Sequence, residues 1–178
     1  MSEALRRFDS LATQDADPFA EEMEEERRRL LLFQACDEWF ALPLELIREV
    51  RPLGSLTRAP HAPAEVLGII NLRGRPYTVF GLGACLDLPS GGVGETHLVV
   101  LDLGDADLRI GLAAQEIGRV RDVPVSLIGP PPMGEAGQGG LSGVFELEAR
   151  VVGLLDVARV FGRFLAEWGV KLATRGIA

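Results

Sequence analysis

The chain has few cysteines and histidines, the usual ligands of a structural zinc ion. Two cysteines and two histidines are the candidates for zinc ligands, namely Cys36, His61, Cys85 and His97. They lie far apart in sequence and form no CxxC or HxxxH pair, the close spacing that preorganises a zinc site. Buried thiols and loop histidines are the simpler interpretation. We therefore expect neither a bound metal nor another cofactor.

The patterns that accompany catalysis are also missing from the sequence. Ser142 lies within Gly139–Gly143, but this run lacks the spacing of a nucleophile elbow. Lys171 is the only lysine, and it does not follow the glycine-rich loop of a Walker motif. No pair of carboxylates is placed as a recognisable acid and base. The sequence predicts a protein that is not an enzyme.

Composition narrows the classes of partner. The 178 residues carry a net charge of −8, and 47% of them are hydrophobic. Such a chain forms about one domain plus a tail, and its charge disfavours binding to nucleic acid or to an anionic membrane. Its longest apolar runs, such as Val66–Ile70 and Leu98–Leu101, are far shorter than the roughly 20 residues that span a bilayer. Because the N-terminus has no secretory signal, we expect a cytoplasmic protein that binds other proteins.

Short strands must position any functional side chain. Apolar segments of strand length recur between Gly, Pro and Asp turns, which is typical of a β-barrel or sandwich. The predicted strands are Leu30–Ala35, Trp39–Leu42, Gly68–Leu72, Tyr77–Phe80, Leu98–Leu103, Leu108–Ala113, Ile117–Val123 and Val151–Leu155. One helix follows, and we expect it to pack on the barrel. The apolar residues on its single apolar face are Val157, Val160, Phe161, Phe164, Leu165 and Trp168.

The N-terminal residues differ in composition from the rest. Residues 1–29 contain nine acidic residues against five arginines, a mixture too polar to bury a core. Asp17 before a proline is typical of a helix start, and Glu25 and Arg29 are spaced as an i,i+4 pair. We predict an acidic extension over residues 1–29, disordered in its first part and helical over Pro18–Arg29. The folded domain is expected over residues 30–170.

The most informative stretch is Gly68–Arg75. Arg73 ends a predicted strand and precedes Gly74, which permits a tight turn, so its guanidinium can reach a carboxylate. The stretch contains Gly-Ile-Ile followed by Asn-Leu-Arg-Gly and lies downstream of an Arg-Glu-Val. This combination resembles the CheW-like family, the adaptor domain of bacterial chemotaxis arrays. The resemblance spans about Leu31 to Phe164, and further blocks agree in order: Arg58–Pro63, Gly111–Ala113, Leu141–Val144 and Leu154–Val157.

The resemblance implies both a fold and a role. The fold is mainly β, with two small five-stranded SH3-like barrels that share a core, and with a C-terminal helix. The role is that of a scaffold with no enzymatic activity. Such a scaffold joins the cytoplasmic tip of methyl-accepting chemotaxis receptors to the regulatory domain of a CheA-type histidine kinase. It works at receptor arrays near the inner face of the membrane, without nucleic acid and without direct membrane insertion.

Matching the family's motifs assigns eight residues to the partner-binding surface. They are Ile47, Glu49, Asn71, Arg73, Gly74, Gly111, Ile117 and Val120. Core packing is the alternative for the three β-branched residues, which usually face inward from strands, and a strand bend is the alternative for Gly111. Glu49 and Arg73 are expected to lie close enough to interact, because their two motifs bracket one surface in the family.

Several positions depart from the family pattern. Thr78, Gly81 and Gly83 stand where the family has proline, aspartate and arginine, and Gln115 stands at another aspartate position. Pro76 indicates an edge strand. The departures leave open a second function, an interaction module for localisation or docking in a divergent chemosensory system. A small-ligand-binding barrel would need a pocket with convergent polar groups, and no such cluster stands out in the sequence.

Overall fold

The structure, a computed structural model, describes residues 25–89, 94–104, 107–131 and 138–167. Within these residues the chain is mainly β. In chain order its elements are β1 (Arg27–Ala35), β2 (Glu38–Pro43), β3 (Ile47–Pro52), β4 (Val66–Leu72), β5 (Arg75–Gly81), α1 (Leu82–Cys85), β6 (His97–Leu101), β7 (Ile110–Ala114), β8 (Glu116–Pro124), β9 (Leu141–Leu147), β10 (Arg150–Leu155) and α2 (Val157–Glu167). Short 3-10 turns cover Leu44–Leu46, Val125–Leu127 and Gln138–Gly140.

The strands form two five-stranded sheets. One sheet has the order β8-β1-β2-β10-β9 and combines the first two strands of the chain with the last three. The other has the order β3-β6-β7-β5-β4 and contains the strands between them. Each sheet closes on itself, because the chain beyond one edge strand reaches the opposite edge. Gly129, after β8, exchanges two backbone hydrogen bonds with Val144 of β9, and Thr57, after β3, does the same with Ile69 of β4. We call the two units the terminal barrel and the central barrel, and they confirm the predicted fold.

A shared core joins the two barrels. Its largest cluster of buried side chains takes Leu31 and Phe33 from the terminal barrel and Val99 and Leu112 from the central barrel. Helix α2 completes it with the buried residues Val157, Val160, Phe161 and Phe164. The Phe80 ring centroid lies 5.0 Å from those of Phe161 and Phe164. The predicted helix and its apolar face are thus confirmed over Val157–Glu167; the side chain of Leu165 and Trp168 lie outside the described residues.

Helix α2 begins where the sequence provides a cap. Asp156 Oδ1 accepts a hydrogen bond from the Arg159 backbone N–H at 3.1 Å, which satisfies one of the free donors of the first turn. The Asp156 carboxylate also lies 3.2 Å from the Arg159 guanidinium. These contacts fix the point at which β10 turns into the helix that seals the shared core.

Three hairpins of the structure have tight turns. Two-residue turns connect β1 to β2, β4 to β5 and β9 to β10, and both turn residues have positive φ in each. This geometry defines type I′ turns, which match the twist of paired strands. Gly74, with φ of 80°, is the only glycine among the six turn residues. The other five adopt a left-handed backbone that costs about 1–2 kcal/mol for a residue with a Cβ.

Replacing Ala149 by glycine should therefore stabilise the protein. Ala149 has φ of 59° at the exposed tip of the β9–β10 turn. We expect Ala149→Gly to raise the free energy of unfolding by about 0.5–1 kcal/mol, because the relief of left-handed strain exceeds the entropy that glycine loses on folding. Chemical denaturation measures the change. An equal or lower stability for the glycine variant would contradict the turn assignment.

The predicted N-terminal helix is wrong where the structure describes it. Arg27–Arg29 belong to β1 and pair with β8, with Arg27 opposite Pro124 and Arg29 opposite Asp122. The Arg29 guanidinium lies 3.7 Å from the Asp122 carboxylate across the strands. The ladder of backbone bonds outweighs the i,i+4 charge pattern that favoured a helix. Pro18–Glu24 lie outside the described residues, and β1 begins three residues before the predicted boundary at Leu30.

Two further strands, β3 and β9, were not predicted, and two predicted strands are shorter than expected. Strand β6 ends at Leu101 rather than Leu103, and β7 begins at Ile110 rather than Leu108. Leu103 and Leu108 are still buried in the shared core. They are apolar because they are buried, although they are not paired in a strand. None of the helices in the described part of the chain is long and apolar enough to cross a membrane.

Candidate partner-binding surface

Arg73 occupies the tip of the β4–β5 hairpin. Its φ of 53° and the φ of 80° at Gly74 make the I′ turn that points the side chain away from the sheet, and 82% of that side chain is exposed. Arg73 Nη2 donates a hydrogen bond to Glu49 Oε2 at 3.0 Å. The contact confirms the expected proximity of the two residues. An exposed guanidinium that uses one nitrogen in this way retains donors for a partner.

Glu49 lies in β3 beside a bulge. The register of β3 against β6 shifts between Ile47 and Glu49, which marks the bulge. Both residues are half-buried, and Arg48 between them is exposed. Glu49 Oε1 lies 3.7 Å from Arg51 Nη1, which gives each carboxylate oxygen a cationic neighbour. The Glu49 side chain is 26% exposed, and its carboxylate anchors one end of the Arg73 guanidinium. Glu49 therefore positions Arg73.

The Glu49–Arg73 pair should contribute little to folding itself. Solvent screens an ion pair this exposed, so a double-mutant cycle with Glu49→Ala and Arg73→Ala should give a coupling of about 0.2–1 kcal/mol. Chemical denaturation of the two single variants and the double variant supplies the four free energies of unfolding. Strictly additive single effects would show that the hydrogen bond is absent in solution.

The outward face of β4 adds polar and apolar groups to this tip. Ile69 and Asn71 are exposed, two residues apart, and therefore lie on the same face of the strand that leads to Arg73. Ile69 is 37% exposed, and Val50 on β3 is 38% exposed. We define the hairpin surface as Glu49, Val50, Ile69, Asn71, Arg73 and Gly74. Sequence reasoning missed Val50 and Ile69, although strict alternation along β4 would have placed Ile69 on the Asn71 face.

Two of the predicted site residues, Ile47 and Gly111, contact the protein interior and do not lie at the hairpin tip. Ile47 is half-buried and packs against the shared core, as its alternative interpretation held. Gly111 is buried in β7, where an added Cβ would lie 2.6 Å from Leu98 Cδ1. Its lack of a side chain therefore serves packing within the central barrel. Gly111 is buried and not part of the exposed surface, and its assignment to the partner-binding residues stays a prediction.

Ile117 and Val120 lie in β8, in the other barrel. The register of β8 against β1 shifts between Leu31 and Phe33, so Ile117 and Val120 face the same side as these two core residues although they are three apart. Ile117 is half-buried against the shared core, whereas Val120 is 41% exposed. The structure thus divides the predicted site into the hairpin surface and an apolar edge at β8.

Gln115 ties the two barrels together. Its backbone N–H donates to Gln34 O at 2.8 Å, and its side-chain Oε1 accepts from the Asp37 backbone N–H at 2.8 Å. Gln115 Nε2 donates in return to Asp37 Oδ1 at 3.2 Å. Gln115 is only 8% exposed. The amide therefore clamps the β1–β2 turn onto the connection between β7 and β8, a task for which it supplies both a donor and an acceptor.

Removal of this clamp should destabilise the fold. Gln115→Ala deletes both side-chain hydrogen bonds at a buried position, and we expect the free energy of unfolding to fall by about 1–3 kcal/mol. Thermal and chemical denaturation measure the loss. The matched control is Glu116→Gln at the exposed neighbouring position, which should change stability by less than about 0.5 kcal/mol. Equal small effects for both variants would mean that the clamp is not formed.

The candidate metal and nucleophile residues do not assemble into a reactive site. In residues 25–89, 94–104, 107–131 and 138–167, no three His, Cys, Asp or Glu side chains are grouped to hold a metal ion. Cys36 and Cys85 are both free thiols. Burial raises the pKa of Cys85 to about 12, so this thiol stays protonated at neutral pH. The hydrogen bond with Tyr77 and the carboxylate of Asp102 raise the pKa of Arg48.

Two closed barrels on a shared core thus carry an exposed arginine hairpin and an apolar strand edge. Residues 29–164 match the family model of the CheW-like domain, and the chain therefore belongs to the CheW-like family. Members of this family are scaffolding adaptors, and the protein shares that non-enzymatic class.

Named relatives agree with this assignment. The chain is 26% identical over 145 residues to a probable chemotaxis protein CheW of Rhizobium etli, a match that covers 79% of this chain and 91% of the relative. It is 28% identical over 136 residues to the chemotaxis protein CheW of Rhizobium meliloti, with coverage of 75% and 87%. The crystal structure of the scaffolding protein TtCheW from Thermoanaerobacter tengcongensis matches with a TM-score of 0.67 at 20% identity. That match covers 76% of this chain and 93% of TtCheW, and it supports the fold.

Proposed function

We propose that the protein is a chemotaxis adaptor that couples methyl-accepting receptors to the regulatory domain of a CheA-type histidine kinase. The observation that carries the proposal is the hairpin surface. The family motif Asn-Leu-Arg-Gly forms the β4–β5 turn there, and Glu49 holds Arg73 in an exposed position. Membership of the CheW-like family over residues 29–164 supports the same role.

Two separate surfaces suit a protein that bridges two partners. In our proposal the hairpin surface binds the kinase regulatory domain, whose carboxylates can pair with Arg73 in a planar, bidentate manner. The apolar edge at Ile117 and Val120 receives the receptor tip. The shared core and the Gln115 clamp hold the two barrels as one body, so binding at one surface fixes the orientation of the partner at the other.

Receptor binding would also determine where the protein acts. The receptor tips lie on the cytoplasmic side, so the proposal places the protein in arrays near the inner face of the membrane. A net charge of −8 disfavours direct attraction to anionic lipid or to nucleic acid. Recruitment then depends on protein contacts alone.

The alternative function is docking or localisation in a divergent chemosensory system. It is favoured by β5 and the helix that follows it, where Thr78, Gly81 and Gly83 differ from the family pattern that the sequence resembles. Gly81 is buried against Leu67, and Gly83 lies against Cys36 Sγ. Neither position can supply the charged side chain that the pattern has there.

A pull-down with the full chain as bait separates the two functions. An adaptor should retain both a histidine kinase and a chemoreceptor from a cytosolic extract supplemented with solubilised membranes. A docking module should retain only one of them or neither. Mass spectrometry identifies the bound proteins. The matched control bait is Gly94→Ala, a change at an exposed residue where no atom of the described residues lies within 4 Å of the added Cβ.

A further inference from the structure

The mouth of the terminal barrel contains a cavity that the proposed function does not use. Its volume is about 300 Å³, and it lies between β8 and the ends of the β1–β2 and β9–β10 hairpins. The apolar part of its lining comes from Leu32, Trp39, Leu147 and Val152. These four side chains are part of, or pack against, the interior cluster of the terminal barrel. The cavity is therefore an opening into the apolar interior, large enough for one side chain of a binding segment.

Gly118 lines the cavity, and its lack of a side chain lets Trp39 and Leu32 pack closely against β8. A Cβ at this position would lie 2.9 Å from Trp39 Cζ3 and 3.1 Å from Leu32 Cβ. Trp39 is half-buried and lines the cavity, and the Arg150 guanidinium lies 5.2 Å from its ring centroid. An aromatic side chain entering the cavity would meet the indole of Trp39 and the aliphatic floor.

Arginines surround this opening. Arg119, Arg121 and Arg150 line it together with Glu116 and Glu148. Arg121 already pairs with Glu148, but its buried Nε has no hydrogen-bond partner among the described residues. Arg119 and Arg150 make no ion pair with any residue that the structure describes. The rim therefore has unused cationic donors in a protein whose net charge is −8, and it suits an apolar anchor flanked by carboxylates.

We propose that the acidic segment Asp15–Glu24 of the same chain docks in this cavity, with Phe19 as the anchor. The segment carries five carboxylates and no lysine or arginine, and Phe19 is its only aromatic residue. Its carboxylates complement the arginines of the rim. This docking is independent of the proposed adaptor role, because it uses neither the hairpin surface nor a second protein.

The length of the chain supports Phe19 as the anchor. Glu26 is fixed beside Val125, whose N–H donates to Glu26 O at 2.8 Å. From there Leu32 at the cavity lies about 19–20 Å away, since it is six residues along β1 at about 3.3 Å per residue. Seven residues separate Phe19 from Glu26 and span up to about 23–25 Å when extended. Met23 is only three residues from Glu26 and reaches about 10 Å, so it falls short of the cavity.

Quenching of Trp39 fluorescence tests the proposal in the full chain. Trp168→Phe leaves Trp39 as the only tryptophan, and in this background Phe19→Ala should raise the acrylamide quenching constant about twofold or more. Met23→Ala is the matched control and should leave the constant unchanged. Charge reversal by Arg119→Glu should expose Trp39 as Phe19→Ala does, and high salt should do so in the parent but not in the Phe19→Ala variant.

Three outcomes would overturn the proposal. Equal quenching constants for the parent and the Phe19→Ala variant would show that Phe19 does not cover Trp39. Equal effects of Phe19→Ala and Met23→Ala would show that the reach of the chain does not select the anchor. Protection of Trp39 that disappears on dilution would assign the occupant to a second copy of the chain. The expected result is protection that is the same in dilute and in concentrated solutions.

Discussion

Replacing Gly68 by alanine should lower the free energy of unfolding by about 2–4 kcal/mol. An added Cβ would lie 2.7 Å from Thr57 O and 3.1 Å from Leu56 Cβ. Thr57 O accepts the hydrogen bond from Ile69 N that closes the central barrel. The nearest clashing atom belongs to the backbone and cannot rotate away, so relief of the clash requires the closing strand segment to move.

Chemical denaturation measures this loss, with Gly94→Ala as the matched control. Within the part of the chain that the structure describes, no atom lies within 4 Å of a Cβ at the exposed Gly94, so the stability of this variant should change by less than about 0.5 kcal/mol. Hydrogen exchange should also accelerate at the Ile69 amide in the Gly68→Ala variant, because the closing pair of bonds is weakened. Full stability and unchanged exchange would mean that the Thr57–Ile69 bridge does not close the barrel.

Arg73→Ala should weaken binding of the kinase regulatory domain by about 30-fold or more while folding stays intact. An arginine at the centre of an interface contributes about 2 kcal/mol or more to binding, which corresponds to that factor. Its exposure of 82% predicts a change in unfolding free energy within about 0.5 kcal/mol. Calorimetric titration gives the affinity, and thermal denaturation gives the stability.

Two further variants test whether the loss of binding is specific to the Arg73 guanidinium. Arg29→Ala removes a comparably exposed arginine of the terminal barrel, paired with Asp122, and should leave the affinity unchanged. Arg73→Lys keeps the charge but loses the planar fork, so its affinity should fall between those of the wild type and Arg73→Ala. Gross unfolding of Arg73→Ala would make Arg73 a structural residue. Unchanged affinity in a folded Arg73→Ala protein would remove the hairpin surface from the kinase interface.

Much of the fold could be predicted from the sequence because its hairpins are encoded locally. Apolar runs on either side of Cys36-Asp37 and of Arg73-Gly74 predicted the strands that form two of the hairpins. Strand β3 was missed because its residues alternate between half-buried and exposed without a fully buried position, and a bulge shifts its register. The helix expected up to Arg29 failed because pairing with β8 is a long-range contact that no local charge pattern reveals.

Site residues that belong to a family motif could be predicted from the sequence. Roles that depend on packing between distant segments could not. The family motif predicted the proximity of Glu49 and Arg73, which lie 24 residues apart in sequence and 3.0 Å apart in space. Gly111 gave no local sign that Leu98 would cover it, since that contact depends on the pairing of β6 with β7. The clamp role of Gln115 was equally hidden, because its partner Asp37 is 78 residues away.

Co-sedimentation with receptor fragments tests the central claim most directly. Purified receptor cytoplasmic fragments, assembled on vesicles or as soluble clusters, are mixed with the kinase and with the full chain, and the pellet is analysed for all three. The adaptor role predicts that the kinase sediments only when this protein is present, and that Arg73→Ala abolishes its recruitment while the variant itself still binds receptors. Kinase sedimentation that is independent of this protein, or a protein that sediments with neither partner, would contradict the account.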